Sequence, residues 1–212
     1  MSCGHPAGKR NRPAIAQSFT VTDTNNPDSG ESFTVVANHF KSKGTSGATG
    51  IDADQGDGQG NWNDTRTKAA EYLVDTWIPL LVSQGFDEDV LITGDLNAYK
   101  GEDPITTIKD AGYTDLVESF VGNDAYSFVF DGQLGYLDHA LSSSSMTAQV
   151  TGLTEWHVNA DEVNVFDYNN TIQDSNEASF EAKPTGNNLY EANAIRNSDH
   201  DPVIIGLDLG EP

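Results

Sequence analysis

Four short polar clusters interrupt otherwise apolar runs. Asn38-His39 closes SFTVVA, Gly94-Asp95-Leu96-Asn97 closes VLIT, Asp138-His139 sits in YLDHAL, and Asp199-His200 precedes PVIIGLDL. The first two clusters fall at the C-terminal ends of strand-like segments and the last two at N-terminal ends. In an antiparallel sheet the tail of one strand lies beside the head of its neighbour, so all four clusters can share one rim. A rim with two imidazoles, several carboxylates and an amide suits metal-assisted hydrolysis. Hard cations such as Mg²⁺ take oxygen ligands and keep some waters. A carboxylate hydrogen-bonded to histidine fixes its tautomer and raises its basicity, as a general base requires. Splitting a phosphodiester demands just these parts: an activated water, stabilised charge on the phosphoryl oxygens, and help for the leaving oxygen.

The elements that must position these residues are legible in outline. Residues 12–21 and 32–37 alternate as strands around an Asn/Pro/Asp/Gly turn at 22–31, which predicts a hairpin. Residues 44–60 form a Gly/Asp loop. From Asn61 or Asn63, either of which serves as cap, apolar residues Ala69, Tyr72, Leu73, Trp77 and Leu80 recur at helical spacing to about Val82. A short buried strand at 89–93 ends in Gly94-Asp95, and a short helix covers 104–111. Strands follow near 127–130, 136–142 and 147–156, then a long polar stretch, 157–198, that reads as loop, and a closing strand at 202–209. Strands dominate in mostly antiparallel order, with one helical crossover between the second and third. That pattern predicts packed sheets with helices outside.

At 212 residues the chain is long enough for one domain with a substantial core. No apolar run is long enough to span a membrane, and no apolar segment follows the basic residues of MSCGHPAGKR, so a signal peptide is not visible. The lone Cys3 excludes an internal disulfide. The net charge of −22 is unevenly spread: up to Lys68 basic and acidic residues balance, so the whole excess lies beyond it. Most of those acids read as a solubility surface. The neutral first third, which carries Arg12, Lys41, Lys43, Arg66 and Lys68, is the part suited to an anionic partner.

NHFKSK, GDLNAY, YLDHAL and SDHDPV, in this order and at these spacings, resemble the endonuclease/exonuclease/phosphatase superfamily, whose best-known members are DNase I-like. Further stretches, RNRPAIAQSFTV, DQGDGQGNWNDTRTKAA, YSFVFDGQLGYLDHAL and VTGLTEWHVNADE, look like the bacterial extracellular nuclease branch. The resemblance runs from about Arg10 to Leu209. It implies an α/β fold, a DNase I-like four-layer α/β/β/α sandwich of mostly antiparallel sheets. It also implies a divalent-metal-dependent phosphodiester hydrolase, an extracellular DNase with Mg²⁺ or Mn²⁺, Ca²⁺ being a further candidate, acting on DNA, with RNA as a further candidate substrate. By that resemblance His200, oriented by Asp199, is the general base, and His39 donates to the phosphate or to the leaving oxygen. Asp95 and Asn97 hold metal and phosphate, with Asp199 as a further metal ligand, and Asp138 aligns the attacking water or completes a second metal position. Arg12 contacts a phosphate and Tyr136 lines the groove. A phosphatase or lipid phosphodiesterase of the same superfamily, or a non-catalytic remnant, is the alternative.

Superfamily members build two sheets from two similar halves, and the first half normally supplies an early Asn and one or two Glu. With no strand and no Glu before Arg10, residues 10–212 are expected to be the C-terminal two-thirds of one such domain, with 1–9 irregular and the first half incomplete. The chain alone is then expected to be weakly active or inactive.

Other conspicuous residues read as structural. Strand alternation turns His139 away from Asp138. His5 and His157 have no motif partner, and Asp201 either faces away from Asp199 or caps the turn. IDADQGDGQGN fails the EF-hand spacing, since Gly56 and Asn63 stand where acidic ligands belong. Arg66 and Lys68 are placed to steer DNA, with pairing to acids of that loop as the alternative for Arg66. Trp62, Trp77 and Trp156 are expected in the core.

Overall fold

A computed structural model describes residues 11–162 and 194–210. The expectations for residues 1–9, and for most of the polar stretch 157–198, lie outside the described residues.

The hairpin forms as expected: β1 (Ile15–Thr20) pairs antiparallel with β2 (Ser32–His39). The chain then crosses through α1 (Asn63–Tyr72), a π-helical turn (Leu73–Trp77) and α2 (Ile78–Ser83), which continue one another. Pro79 has no N–H to offer the turn before it, and the widened π turn lies immediately upstream of it. Such a crossover returns the chain parallel, so β3 (Val90–Asp95) lies alongside β2 with His39 opposite Asp95. Next come α3 (Asp103–Asp110), the two-residue β4 (Thr114–Asp115) and α4 (Leu116–Phe120). A small hairpin, β5 (Phe128–Phe130) and β6 (Gln133–Gly135), precedes β7 (Asp138–Ser142). The main sheet has the order β1-β2-β3-β7-β4. After α5 (Ser144–Ala148), β8 (Val150–Glu155) and β9 (Val203–Leu207) form a separate antiparallel pair. The fold class is therefore α/β with mixed, mostly antiparallel sheets, as the sequence indicates.

Burial follows the strand alternation. Val36, Val90 and Ile92 face the helices, where they meet Leu73, Trp77, Ile78, Ile105 and Ile108. Leu91 and Ala140 face the other way, onto Leu116 and Val117 and toward Leu153, Val203 and Ile205 of the β8–β9 pair. The central strand β3 is thus covered on both faces, the reason its sequence VLIT is apolar throughout.

Local details differ from expectation. Trp62, with φ of 65°, occupies the position before α1, and no side chain of its own caps the helix. The cap comes from a distance: Asp52 accepts from the Thr65 N–H at 3.0 Å and from its hydroxyl at 2.9 Å. Asp54 and Asp57 accept from the backbone N–H groups of Gly56 and Gln59, so these loop carboxylates close turns. Arg66 is fully buried, donates to the carbonyls of Lys41, Asn61 and Gln59, and lies 3.6 Å from Glu102. It steers nothing, and its role is to tie the loop to the helix; Lys68 pairs with Asp64 one turn back on the surface. Trp62 and Trp77 are core residues, but Trp156 is 53% exposed, because it falls just past the end of β8. Helices α4 and α5 are too short to show a period in the sequence. Each is started by a side-chain cap, Asp115 on Glu118 N–H and Ser143 on Met146 N–H.

Candidate active site

Pairing brings three of the expected residues into one row. His39 lies opposite Asp95 across β2 and β3, and Asp95 lies opposite Asp138 across β3 and β7. The row can form because Gly94 lets two backbones meet. Its φ is +117°, and a Cβ there would overlap the Asn38 carbonyl oxygen. Past Asp95 the chain turns through Asn97 at φ 48°, held by the Asp95 carboxylate, which accepts from the Asn97 N–H at 2.7 Å. The Asn97 amide N–H₂ donates to the Phe40 carbonyl at 3.1 Å and to Asp95 Oδ2 at 2.9 Å, so its oxygen is the atom left to meet a ligand.

His200 arrives from the second sheet, three residues before β9. Asp201, fully buried, fixes that approach: its N–H donates to the Ser127 carbonyl at 2.9 Å, and its Oδ1 accepts from the N–H groups of Val158, Asn159 and Ala160. His157, without an expected partner, donates to Asp201 Oδ2 at 3.0 Å and stacks on Tyr126. His39, Asp95, Asn97, Asp138, Asp199, His200 and Arg12 all line one pocket of about 1030 Å³. Arg12 is placed by its own N–H, which donates to the His39 carbonyl at 3.2 Å.

Two expected roles are corrected. The carboxylate that orients His200 is Asp138, not Asp199: His200 Nδ1–H donates to Asp138 Oδ2 at 2.6 Å. The adjacent Asp199 stands on the pocket wall and acts on His200 through its charge. The chain bends through residues 197–200 before β9, and that bend turns the His200 ring onto Asp138 at the start of β7 rather than onto its sequence neighbour. Tyr136 does not line the groove. It is 4% exposed, and its hydroxyl donates to Asp115 Oδ2 at 3.0 Å inside the second core cluster. His139 faces away from the pocket as expected, buried, with Nε2–H donating to the Ala98 carbonyl at 2.8 Å.

Several residues that line or support the pocket escape sequence reasoning. Ser127, fully buried, donates its hydroxyl to Asp138 Oδ2 at 2.7 Å and accepts from the N–H groups of Leu137 and Asp138. Phe128 stacks on the His200 ring at 4.7 Å. Tyr99 and Phe130 complete an aromatic wall, and Lys43 lies over the Tyr99 ring while pairing with Glu102. Asp131-Gly132, both at positive φ, is the turn signal that marks the β5–β6 hairpin carrying Phe128 and Phe130.

The two histidines are driven in opposite directions. Burial lowers the pKa of His39, and the positive neighbours Arg12 and His200 reinforce this against the attraction of Asp95, 3.3 Å away. Burial also disfavours charge on His200, but the Asp138 hydrogen bond and the surrounding carboxylates outweigh it and raise its pKa. Asp95 is raised, chiefly by burial and also by the nearby Asp138 charge, against the Asn97 N–H bond.

Among the described residues no group of three or more His, Cys, Asp or Glu side chains is disposed to hold a metal ion. What the pocket does offer is a pair of hard donors, the Asp95 carboxylate and the Asn97 amide oxygen. Asp95, raised by burial and by a second carboxylate, is in the condition that a cation relieves. Two such donors fit an open site for an ion that keeps waters and takes substrate oxygens, as Mg²⁺ does.

No family model matches this chain, and no curated protein matches it. Solved structures do. An endonuclease/exonuclease/phosphatase family protein from Bacteroides thetaiotaomicron is 16% identical over 68% of this chain and 45% of its own, with a TM-score of 0.44. The catalytic domain of Xenopus laevis APE2 is 12% identical over 68% of this chain and 50% of that one, with a TM-score of 0.46. A 3'-5' exonuclease from Neisseria meningitidis is 14% identical over 93% of this chain and 72% of its own, with a TM-score of 0.47. The chain spans half or less of the length of the first two.

Proposed function

We propose that this pocket hydrolyses phosphodiesters, with His200 as the base that deprotonates the attacking water. One observation carries the reading: His200 Nδ1–H is held on Asp138 at 2.6 Å in the same pocket as His39, Asp95, Asn97 and Arg12. With its Nδ1 proton committed, His200 presents Nε2 as the acceptor. Ser127 holds the carboxylate in turn, so the ring and its partner are both fixed. His39, kept neutral by burial, donates from its ring N–H to a phosphoryl oxygen or to the leaving oxygen. Arg12 supplies a fixed positive charge for the same phosphate. Asp95 and Asn97 would hold Mg²⁺ or Mn²⁺, with Asp199 on the adjoining wall, and Ca²⁺ is a further candidate. Such an ion supplies charge neutralisation at the phosphoryl oxygens.

The substrate in this reading is DNA, with RNA as a second substrate, and the setting is extracellular, following the motif resemblance. Among the described residues no helix is long and apolar enough to cross a membrane. The superfamily's phosphatase or lipid phosphodiesterase activity is the alternative. Plasmid nicking by the purified chain with Mg²⁺, beside phosphate release from monoesters and phosphocholine release from lipid, separates these. Slow nicking that disappears in His200→Ala is the expected result. Nicking that survives the substitution overturns the assignment of the base.

A further inference from the structure

We propose that the β5–β6 hairpin is a stacking platform for a nucleobase next to the scissile phosphate, so that the site takes an unpaired stretch of polynucleotide. The inference rests on the phosphodiesterase reading of the pocket and adds a substrate feature to it. Phe128 and Phe130, two apart on β5, project to the same face. Their rings are nearly parallel, 17° apart, with centroids 6.5 Å from one another. On β6, Gly135 lies opposite Phe128, and a Cβ there would stand 2.7 Å from the Tyr99 ring. The glycine therefore lets the Tyr99 ring come close to the hairpin and extend the same wall. All three rings line the pocket that holds His200 and Arg12, and the inner ring, Phe128, already stacks on His200.

The outer ring is what needs an explanation. Phe130 is 62% exposed, whereas Leu134, equally exposed, belongs to the other face of the hairpin by its register with Val129. A phenyl group held in water at the mouth of a phosphate pocket offers a flat apolar face to whatever adjoins that phosphate. Every nucleobase has such a face, and stacking does not depend on charge. That matters in a chain of net charge −22, which gains less from the phosphate backbone than a basic nuclease would. The Arg12 side of the pocket takes the phosphate and the Phe130 side takes the base. A base inside a duplex has both faces covered by its stacked neighbours, which is why the platform selects unpaired strands.

The test uses Phe130→Ala, which removes an exposed side chain, with Phe130→Trp as the rescue and the whole chain in every case. Binding is read from the fluorescence of a 2-aminopurine-bearing single strand, and a strand abasic at that position is the control. Phe130→Ala is expected to weaken binding of the base-bearing strand by roughly 5- to 100-fold, the range of one base–aromatic contact. The abasic strand is expected to bind both proteins alike, and Phe130→Trp to restore the quench. Equal affinity of the wild type and Phe130→Ala for the base-bearing strand overturns the platform, as does tighter binding of phosphatidylcholine vesicles than of that strand. The assay needs no turnover. A chain that stacks the base but hydrolyses nothing keeps the platform and loses the hydrolase reading.

Discussion

His200 and Asp138 act as one unit, and the chemistry expected of them can be measured. A general base contributes about 10²- to 10⁴-fold, so His200→Ala should lower kcat by at least about 100-fold while far-UV circular dichroism stays unchanged. The pH profile follows from the direction of the shift. In the proposed reaction His200 would work as a base only when neutral, and its pKa is raised above the ordinary 6.5, so kcat/KM should climb with pH through a midpoint above 6.5. In Asp138→Asn the hydrogen-bonded charge that raises the pKa is gone while burial still lowers it, so the midpoint should move to lower pH as the rate falls. A midpoint that stays put in Asp138→Asn would show that another group titrates. His39 is driven the other way, and its neutral form persists across that range.

At the scale of elements, the site depends on two strands meeting without a side chain between them. Gly94→Ala forces a Cβ into the Asn38 carbonyl at a φ that L-residues avoid. It should cost about 2 kcal/mol or more in urea denaturation and displace both His39 and Asp95. Ile108, fully buried where α3 meets the helical face of the sheet, is a plain packing residue. Ile108→Ala should cost about 2–5 kcal/mol, with kcat per folded molecule preserved. The pair of outcomes separates an element that builds the site from one that only supports it.

The whole molecule carries its charge as a distributed repulsion. With a net −22, the compact state should gain from screening: differential scanning calorimetry should show Tm rising as NaCl goes from about 10 mM, where the Debye length is about 30 Å, to about 0.15 M, where it is about 8 Å. A Tm that falls with salt would mean that ion pairs, such as those of Lys68 and Lys109, outweigh the repulsion. The layering has the same global character. Residues 90–92 must satisfy helices on one side and a second sheet on the other, and only the complete stack buries both.

The sequence by itself determined the longer strands, though not β4, β6 or the helix α5 that takes the start of the strand expected at 147–156, together with the long crossover helix and the rim shared by His39, Asp95, Asn97, Asp138 and His200. Alternation, caps and strand ends are local properties, and an apolar strand with a polar end tells where its tip must lie. Arg12 was readable too, as a cation in the segment whose pairing carries it to His39. Only the tertiary structure decided that Asp138 holds His200, that Ser127 holds Asp138, that Tyr136 turns into the core and that Arg66 is buried. The Ser127–Asp138 and Asp138–His200 contacts join residues 11 and 62 positions apart, and Tyr136 and Arg66 likewise find partners on other elements, so no local pattern encodes them.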